Sequence, residues 1–367
     1  MNTEKLNPRQ LITITAAAIF GIDILRVQQR IVLLSGQDAW ISITIGGLLT
    51  IAAGVIAYFL AAIYPDKDLP EIILEICGKF FGKIILLSVC AYVLLYSGFS
   101  SRIFVQALKM FLVDRTPIYV LVISMGVATT YAAYKGINTI GSVVDIVFPL
   151  MFITILATLL LSISQADIIY IKPVLFENTK NVARAILPSY TRFTGYSVIL
   201  YIFCHTKRTK ESIRFFLAGL IIPIFFYIAL TVVSIMVFGP KDLVTLIYPT
   251  LTLFKTIEFP AAFMERLESF AAVLWIGIVF LSAILFNYTS SRNLTVFFSI
   301  DDKYRRYVAL AQFPILIFIA LFPDTGLEVI DFIGKLAPLH NILGLGVIPA
   351  LLAIGLIKKR KEAGNEA

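Results

Sequence analysis

The chain has 367 residues, of which 59% are hydrophobic and 15% are charged, and its mean hydropathy is +0.90. A water-soluble chain of this size cannot bury so much apolar surface in one core, so a soluble globular protein is excluded and a lipid bilayer is indicated. The net charge of +8 does not indicate nucleic-acid binding, because the basic residues concentrate in loops between apolar stretches. Cys77, Cys90 and Cys204 are too scattered for a metal site or a disulfide framework.

Ten apolar stretches follow one another along the chain, each long enough to cross a bilayer. They are continuous rather than alternating, which predicts helices and not the strands of a barrel. No small-residue cleavage site follows the first stretch, so we expect it to be a span and not a signal peptide. The ten predicted spans cover residues 11–34, 40–63, 82–110, 117–134, 141–163, 181–204, 211–238, 261–289, 307–322 and 332–357.

The distribution of lysine and arginine predicts the orientation of the chain. One side of the predicted membrane carries 18 of these residues in its loops and termini, and the other side carries 7. The positive-inside rule therefore predicts that both termini are cytoplasmic, which agrees with an even number of crossings. We expect a single polytopic membrane domain over residues 1–367.

Two connections are more than plain loops. Residues 66–80 contain Pro70 followed by an amphipathic stretch, which we expect to lie at the cytoplasmic face. Residues 239–258 begin with Gly239 and Pro240 and are expected to form a partly helical outer cap.

The first span is interrupted by polar residues. Gly21 permits unwinding, and Asp23 would be costly if it faced lipid. Arg26 and Arg30 follow at helical spacing, so on a continuous helix they would share a face with Asp23. One interpretation is a structural ion pair between Asp23 and Arg26, and the other is a substrate or gating site.

The sixth span has a comparable fault. Pro188 removes a backbone donor, and the polar run from Ser189 to Tyr196 follows it. The alternative is a simple proline kink, but the fault lies five spans after the first one. Interrupted helices at corresponding places in two halves indicate a midplane ligand site. We therefore predict an all-α membrane fold of two inverted five-helix repeats, over residues 11–163 and 181–357.

Further charged residues fall in the predicted outer half and could form a gate or an internal strut network. That predicted network consists of Arg26, Arg30, Arg102, Arg192, Glu265, Arg266, Glu268 and Asp331. Asp331 could meet Arg26 or Arg30 as a lid. Asp145, toward the cytoplasmic end of the fifth span, is either a cation or proton site or a half-exposed residue at the interface.

Catalysis is not indicated. His205 and His340 are the only histidines, and neither has a neighbouring arrangement suited to metal binding or nucleophilic chemistry. There is no glycine-rich phosphate loop. We expect a protein that is not an enzyme and that has no cofactor and no metal.

Four short motifs give the chain a family resemblance: LNPRQL at 6–11, GQDAW at 36–40, KGINTIG at 135–141 and MERLESFAAVLW at 264–275. With the length and the ten predicted spans, they resemble the spore germination permeases, the B subunits of nutrient germinant receptors. That family is similar to the amino acid–polyamine–organocation transporters. The resemblance implies a LeuT-like fold of five plus five helices, with the first and sixth helices broken.

The resemblance also implies a role and partners. It implies a protein of the spore inner membrane that recognises a small nutrient and helps to trigger germination, together with a larger A subunit and a lipoprotein C subunit. The chain departs from the family pattern at Asp23, where a second small residue is expected. The ligand is then cationic or neutral, or its carboxylate is held by an arginine.

The breaks predict the ligand site. The predicted ligand-binding residues are Gly21, Ile22, Asp23, Tyr96, Ser100, Ser189, Thr191 and Thr194. Tyr96 and Ser100 lie one turn apart near the middle of the third span. Three functions remain open at this point: a ligand-sensing receptor subunit, a secondary transporter of amino acids or related solutes, and a structural subunit that positions a partner.

Overall fold

The computed structural model describes residues 5–175, 178–256 and 264–365, with the backbone alone for residues 264–276 and 363–365. Their regular structure consists of helices. In chain order the α-helices are α1 Gln10–Phe20, α2 Val27–Ser35, α3 Ala39–Ile63, α4 Leu69–Phe111, α5 Ile118–Lys135, α6 Ile137–Ser162, α7 Thr179–Tyr190, α8 Ile199–Ile202, α9 Ser212–Leu243, α10 Pro249–Lys255, α11 Met264–Phe297, α12 Arg305–Ala311, α13 Phe313–Leu321, α14 Gly326–Asn341 and α15 Ile348–Asn365.

Within the described residues, seven helical segments are long and apolar enough to cross a membrane. They are Val27–Ile63, Leu69–Phe111, Ile118–Lys135, Ile137–Gln165, Ser212–Leu243, Asp302–Leu321 and Gly326–Glu362, with the shorter apolar helix Gln10–Phe20 before them. The all-helical prediction is confirmed. The count of ten spans stays a prediction, because the first and sixth spans are divided and the eighth includes residues without described side chains.

The first predicted interruption is confirmed. Helix α1 ends at Phe20 because Gly21 adopts φ 21° and ψ −152°, outside the helical region. One turn of 3₁₀-helix follows at Ile22–Leu25, Arg26 has a φ of −140°, and α2 begins at Val27. The side chains on either side of this break therefore do not follow the spacing of a single α-helix.

The sixth span is interrupted as predicted, but later than its proline. Helix α7 continues through Pro188 to Tyr190, and a 3₁₀ stretch occupies Thr191–Val198. Phe193, with φ −104° and ψ 35°, marks the sharpest departure from helical geometry. The threonines and glycine of this stretch are poor helix formers, so the break coincides with the polar run rather than with the proline.

The two breaks lie against each other. A Cβ atom placed on Gly195 would lie 2.2 Å from the carbonyl carbon of Ala18 on α1. Only a residue without a side chain permits this approach of the two backbones. The contact brings the 3₁₀ stretch of the sixth span to the end of α1, beside Gly21.

On the predicted cytoplasmic side, one arginine forms ion pairs with three acidic residues. Arg292 of α11 pairs with Asp68, with Glu71 at 2.5 Å and with Asp302 at 2.8 Å. Asp68 also caps α4, in a capping box with Glu71. Burial raises the pKa of Asp68 to about 6, because desolvation outweighs the attraction of Arg292.

Both predicted special connections are helical in part. Helix α4 begins at Leu69 and bends at Gly78, which has a φ of 73°, so the amphipathic stretch forms its own short segment. Helix α9 runs past Gly239 to Leu243, and α10 follows at Pro249–Lys255.

Candidate functional site

A buried ion pair joins the two breaks. Nη1 of Arg192 lies 2.9 Å from Oδ1 of Asp23, and the two side chains are only 17% and 7% exposed. The Tyr96 hydroxyl donates to Oδ2 of Asp23 at 3.3 Å, and the Thr194 hydroxyl donates to the Tyr96 oxygen at 3.3 Å. The partner of Asp23 is Arg192 and not Arg26, the partner considered from sequence. Arg26 is directed elsewhere because the 3₁₀ turn removes it from the face of Asp23.

The carbonyl groups freed at the first break are taken by other side chains. The Tyr227 hydroxyl, on α9, contacts the carbonyl oxygens of Ile19 at 2.9 Å and Phe20 at 3.0 Å. The Thr250 hydroxyl, on α10, donates to the Ile24 oxygen at 2.6 Å. Unpaired backbone groups in an apolar interior are costly, so these contacts stabilise the break. The three carbonyl oxygens therefore already have hydrogen-bond donors from the protein itself.

A cavity of about 60 Å³ adjoins the ion pair on the predicted cytoplasmic side. Thr194 and Gly195 form part of its wall, and most of its lining is apolar. The Tyr92 hydroxyl and Nδ1 of His340 are 3.1 Å apart at its edge. Nε2 of His340 is buried and has no hydrogen-bond partner among the described residues. Since one water needs roughly 10–15 Å³ of such space, the cavity is large enough for water or a small group.

A second pocket of about 40 Å³ lies on the predicted outer side of the ion pair. Three guanidinium groups line it, from Arg26, Arg30 and Arg192, with Asp23 as the one carboxylate among its lining residues. Arg26 donates from Nη2 to the Gln29 side chain at 2.7 Å and lies 6.0 Å from the centre of the Tyr248 ring.

Three predicted ligand residues have no hydrogen bond to the ion pair among the described contacts. Ser189 is fully buried, bonds the Ala185 oxygen at 2.8 Å and packs against α3. Thr191 bonds the Leu187 oxygen at 2.9 Å and the Asn341 side chain at 3.1 Å. The Ser100 hydroxyl is buried and has no partner within the described part of the chain.

The predicted outer network is only partly assembled by the described side chains. Arg102 donates to the backbone oxygens of Pro323 at 3.3 Å and Asp324 at 3.4 Å. Asp331 pairs with Lys335 at 2.7 Å on an exposed face of α14, and does not form a lid on Arg26 or Arg30. The side chains of Glu265, Arg266 and Glu268 lie outside the described residues.

Asp145 is part of a contact between two helices. One of its oxygens accepts from Nε2 of Gln10 and the other from the Thr13 hydroxyl, both at 2.7 Å. Its side chain is half-buried, and it links α6 to the start of α1. Among the side chains that are described, no group of three histidine, cysteine or acidic residues could hold a metal ion.

Sequence reasoning missed Tyr227, Thr250 and the pairing of Tyr92 with His340. Each of these hydrogen bonds joins residues that are more than 200 positions apart in the sequence. The available signal was a hydroxyl or imidazole group inside an apolar run, which calls for a buried partner without specifying it.

The chain matches the model of the family described as "Spore germination protein" over residues 5–329. It belongs to that family. Spore germination protein A2 of Bacillus subtilis (strain 168) is 27% identical over 97% of this chain and 97% of its own length. Spore germination protein YndE of the same organism is 25% identical over 90% of this chain and 89% of its own length. The predicted family resemblance is confirmed.

Two solved structures share the fold. MhsT in complex with L-phenylalanine aligns with a TM-score of 0.67 and 13% identity, over 94% of this chain and 88% of its own. Mhp1, a nucleobase-cation-symport-1 family transporter, aligns with a TM-score of 0.66 and 15% identity, over 95% and 78%. Both are LeuT-fold proteins. With the apolar helices, this fold makes the chain a multi-pass membrane protein.

Proposed function

We propose that this chain is a membrane-embedded nutrient-sensing subunit of a spore germinant receptor. It binds a small nutrient, an amino acid or a related compound, at the breaks of the first and sixth spans and helps to trigger germination. The observation that carries the proposal is the buried Asp23–Arg192 pair, which joins the two breaks in a chain of the spore germination family. Charged groups inside a membrane are costly, so a pair at two broken helices supports the hypothesis of a functional site there.

The ligand site of this proposal is centred on five of the eight predicted residues: Gly21, Ile22, Asp23, Tyr96 and Thr194. They surround the ion pair or the pockets beside it. Ser100, Ser189 and Thr191 remain in the proposed site as residues beside this centre, with Ser189 and Thr191 bonded to carbonyl oxygens of α7.

The architecture of the proposal is ten spans in two inverted repeats, 11–163 and 181–357, with both termini in the cytoplasm. Support comes from the similarity to the two LeuT-fold structures and from breaks five predicted spans apart. Family membership supports a location in the spore inner membrane and assembly with an A subunit and a lipoprotein C subunit.

The test compares spores that lack this gene with spores that carry Asp23→Asn or Asp331→Asn. Asp331 has the same chemistry as Asp23 but lies exposed beside Lys335, so it is the matched control. We expect deletion and Asp23→Asn to abolish the fall in optical density triggered by one class of nutrient, and Asp331→Asn to preserve it. Immunoblots of spore membranes separate loss of the protein from loss of its response. A normal nutrient response in the deletion strain across amino acids, sugars and nucleosides would refute the receptor function.

The second candidate is a secondary transporter of amino acids or related solutes. It is favoured by the fold shared with Mhp1, a transporter. Accumulation of a labelled nutrient in proteoliposomes would support it, and binding without accumulation would support the receptor. Neither result, with loss of partner assembly on deletion, would indicate a purely structural subunit.

A further inference from the structure

The outer pocket carries more positive than negative charge. Among the described residues that line it are three arginines, Arg26, Arg30 and Arg192, and a single carboxylate, that of Asp23, an excess of two positive charges. Asp23 is already engaged by Arg192, and Asp331 is engaged by Lys335. Among the side chains that the structure describes, the guanidinium charge of the pocket is therefore not balanced next to the proposed ligand site.

The contacts of the arginines leave donors available. Arg26 meets the neutral partners Gln29 and Tyr248. Nε of Arg192 is buried without a hydrogen-bond partner within the described residues. Guanidinium groups offer a planar fork of donors that matches a carboxylate better than any other small ligand group except phosphate.

The shape of the pocket limits what it can hold. Its 40 Å³ exceeds the roughly 10–15 Å³ that one water needs, so the pocket has room for a small polar group such as a carboxylate. Ile22, Ile103 and Ile333 form its apolar wall. A larger outer cavity of about 490 Å³ shares Ile330 with it and includes Tyr248 in its lining, so the rest of a ligand has a space that adjoins the pocket.

We propose that this pocket binds the carboxylate of a small nutrient through Arg26 and Arg30, with Arg192 oriented by Asp23. This inference rests on the proposed function and specifies its ligand class: a compound with a free carboxylate and a small or apolar remainder. Recognition by arginine side chains is consistent with the first break, where Tyr227 and Thr250 occupy the carbonyl groups of three residues.

The experiment measures thermal stabilisation of the purified full-length protein in detergent. The probes are L-alanine, L-valine and L-phenylalanine, each paired with its carboxamide, together with propionate and sodium chloride. We expect at least one free carboxylate to stabilise the protein and its amide to bind about ten- to hundredfold more weakly, the usual cost of a lost charge-assisted hydrogen bond. Equal stabilisation by acid and amide, by chloride alone, or by none of the carboxylates would overturn the inference.

Variants of the two pocket arginines, Arg26 and Arg30, test whether these residues bind the carboxylate. Arg30→Gln lies at an exposed helix position, so it removes the charge with little risk to folding, and Arg26→Lys keeps the charge but removes the fork. We expect both to weaken carboxylate binding, and Arg208→Gln, at the exposed Asp66 pair, to leave it unchanged. Unchanged carboxylate binding in both pocket variants would also overturn the inference.

The outcomes separate this inference from the proposed function. If deletion abolishes the response to a nutrient that has no carboxylate, the receptor function stands and the ligand class is wrong. If the purified protein prefers acids over amides while the deletion strain germinates normally, the ligand class stands and the receptor function fails.

Discussion

The contact between Gly195 and Ala18 allows a sharp prediction for Gly195→Ala. The added Cβ would lie 2.2 Å from the carbonyl carbon and 2.3 Å from the carbonyl oxygen of Ala18. Carbon atoms in contact are separated by about 3.5 Å or more, so the two backbones must separate by about 1.3 Å. Both atoms of Ala18 belong to the backbone of a packed helix and cannot rotate away.

The cost follows from this geometry. Overpacking costs about 1–3 kcal/mol when side chains can adjust, and we expect the upper end, about 3 kcal/mol, because backbone must move. We also expect loss of nutrient response in any protein that folds. Displacement of α1 shifts Gly21 and moves Asp23 away from Arg192, so the site is disturbed even when the fold survives.

Gly346→Ala is the matched control, since a Cβ at Gly346 meets nothing within 4 Å. It should leave stability unchanged or raise it by up to about 1 kcal/mol, the difference between glycine and alanine in a helix. The assay is thermal denaturation of both purified variants in the same detergent, together with the nutrient response of spores. If Gly195→Ala melts at the wild-type temperature and germinates normally, the close contact of the two breaks is refuted.

Two further predictions concern charged residues on the predicted cytoplasmic side. Arg292→Ala leaves Asp68 buried without its countercharge and should cost about 3–5 kcal/mol in thermal denaturation at pH 8, whereas Arg208→Ala, at an exposed pair, should cost about 0–1 kcal/mol. Burial raises the pKa of Asp68 to about 6, above an unfolded value near 3.9, so ionisation of this carboxyl group opposes folding. At pH 5 the carboxyl group is mostly protonated, and the stability lost in Arg292→Ala should therefore be smaller than at pH 8. An equal loss of stability at both pH values would contradict this. Asp145→Asn keeps one acceptor for Gln10 or Thr13 and weakens a contact between α1 and α6, where a hydrogen bond to a charged group contributes about 1.5–3 kcal/mol, so we expect a lower melting temperature. The described contacts of Asp145 are with α1 and not with the Asp23–Arg192 pair, so nutrient-triggered germination should persist; complete loss of response in a folded variant would instead indicate a proton or cation role.

The breaks were accessible from sequence because their causes are local. Gly21 provides a backbone conformation outside the helix, and a buried aspartate in an apolar span marks a place that must face protein. The position of the second break was less certain, since Pro188 is the stronger local signal, yet α7 continues through it to Tyr190. The polar run after the proline determines where the helix ends.

The ion-pair partner of Asp23 could not be predicted from the sequence in the same way. Asp23 and Arg26 share a face only if the helix is continuous, and the 3₁₀ turn at Ile22–Leu25 rotates them apart. The actual partner, Arg192, lies 169 residues away. In a membrane, apolar residues cover all faces of a span, so hydrophobic periodicity gives little information about which face meets which neighbour.

The use of the freed carbonyl groups has a consequence for ligand specificity. Because Tyr227 and Thr250 satisfy the carbonyl groups of Ile19, Phe20 and Ile24, the first break is stable without a ligand. If a nutrient binds here as proposed, we expect the backbone geometry of the break not to depend on which nutrient it is, and the ligand class to be determined by the side chains around Asp23. A substitution among those side chains can change the preferred nutrient while both breaks keep their conformation, whereas loss of the Tyr227 hydroxyl should weaken the response to every nutrient that the site accepts.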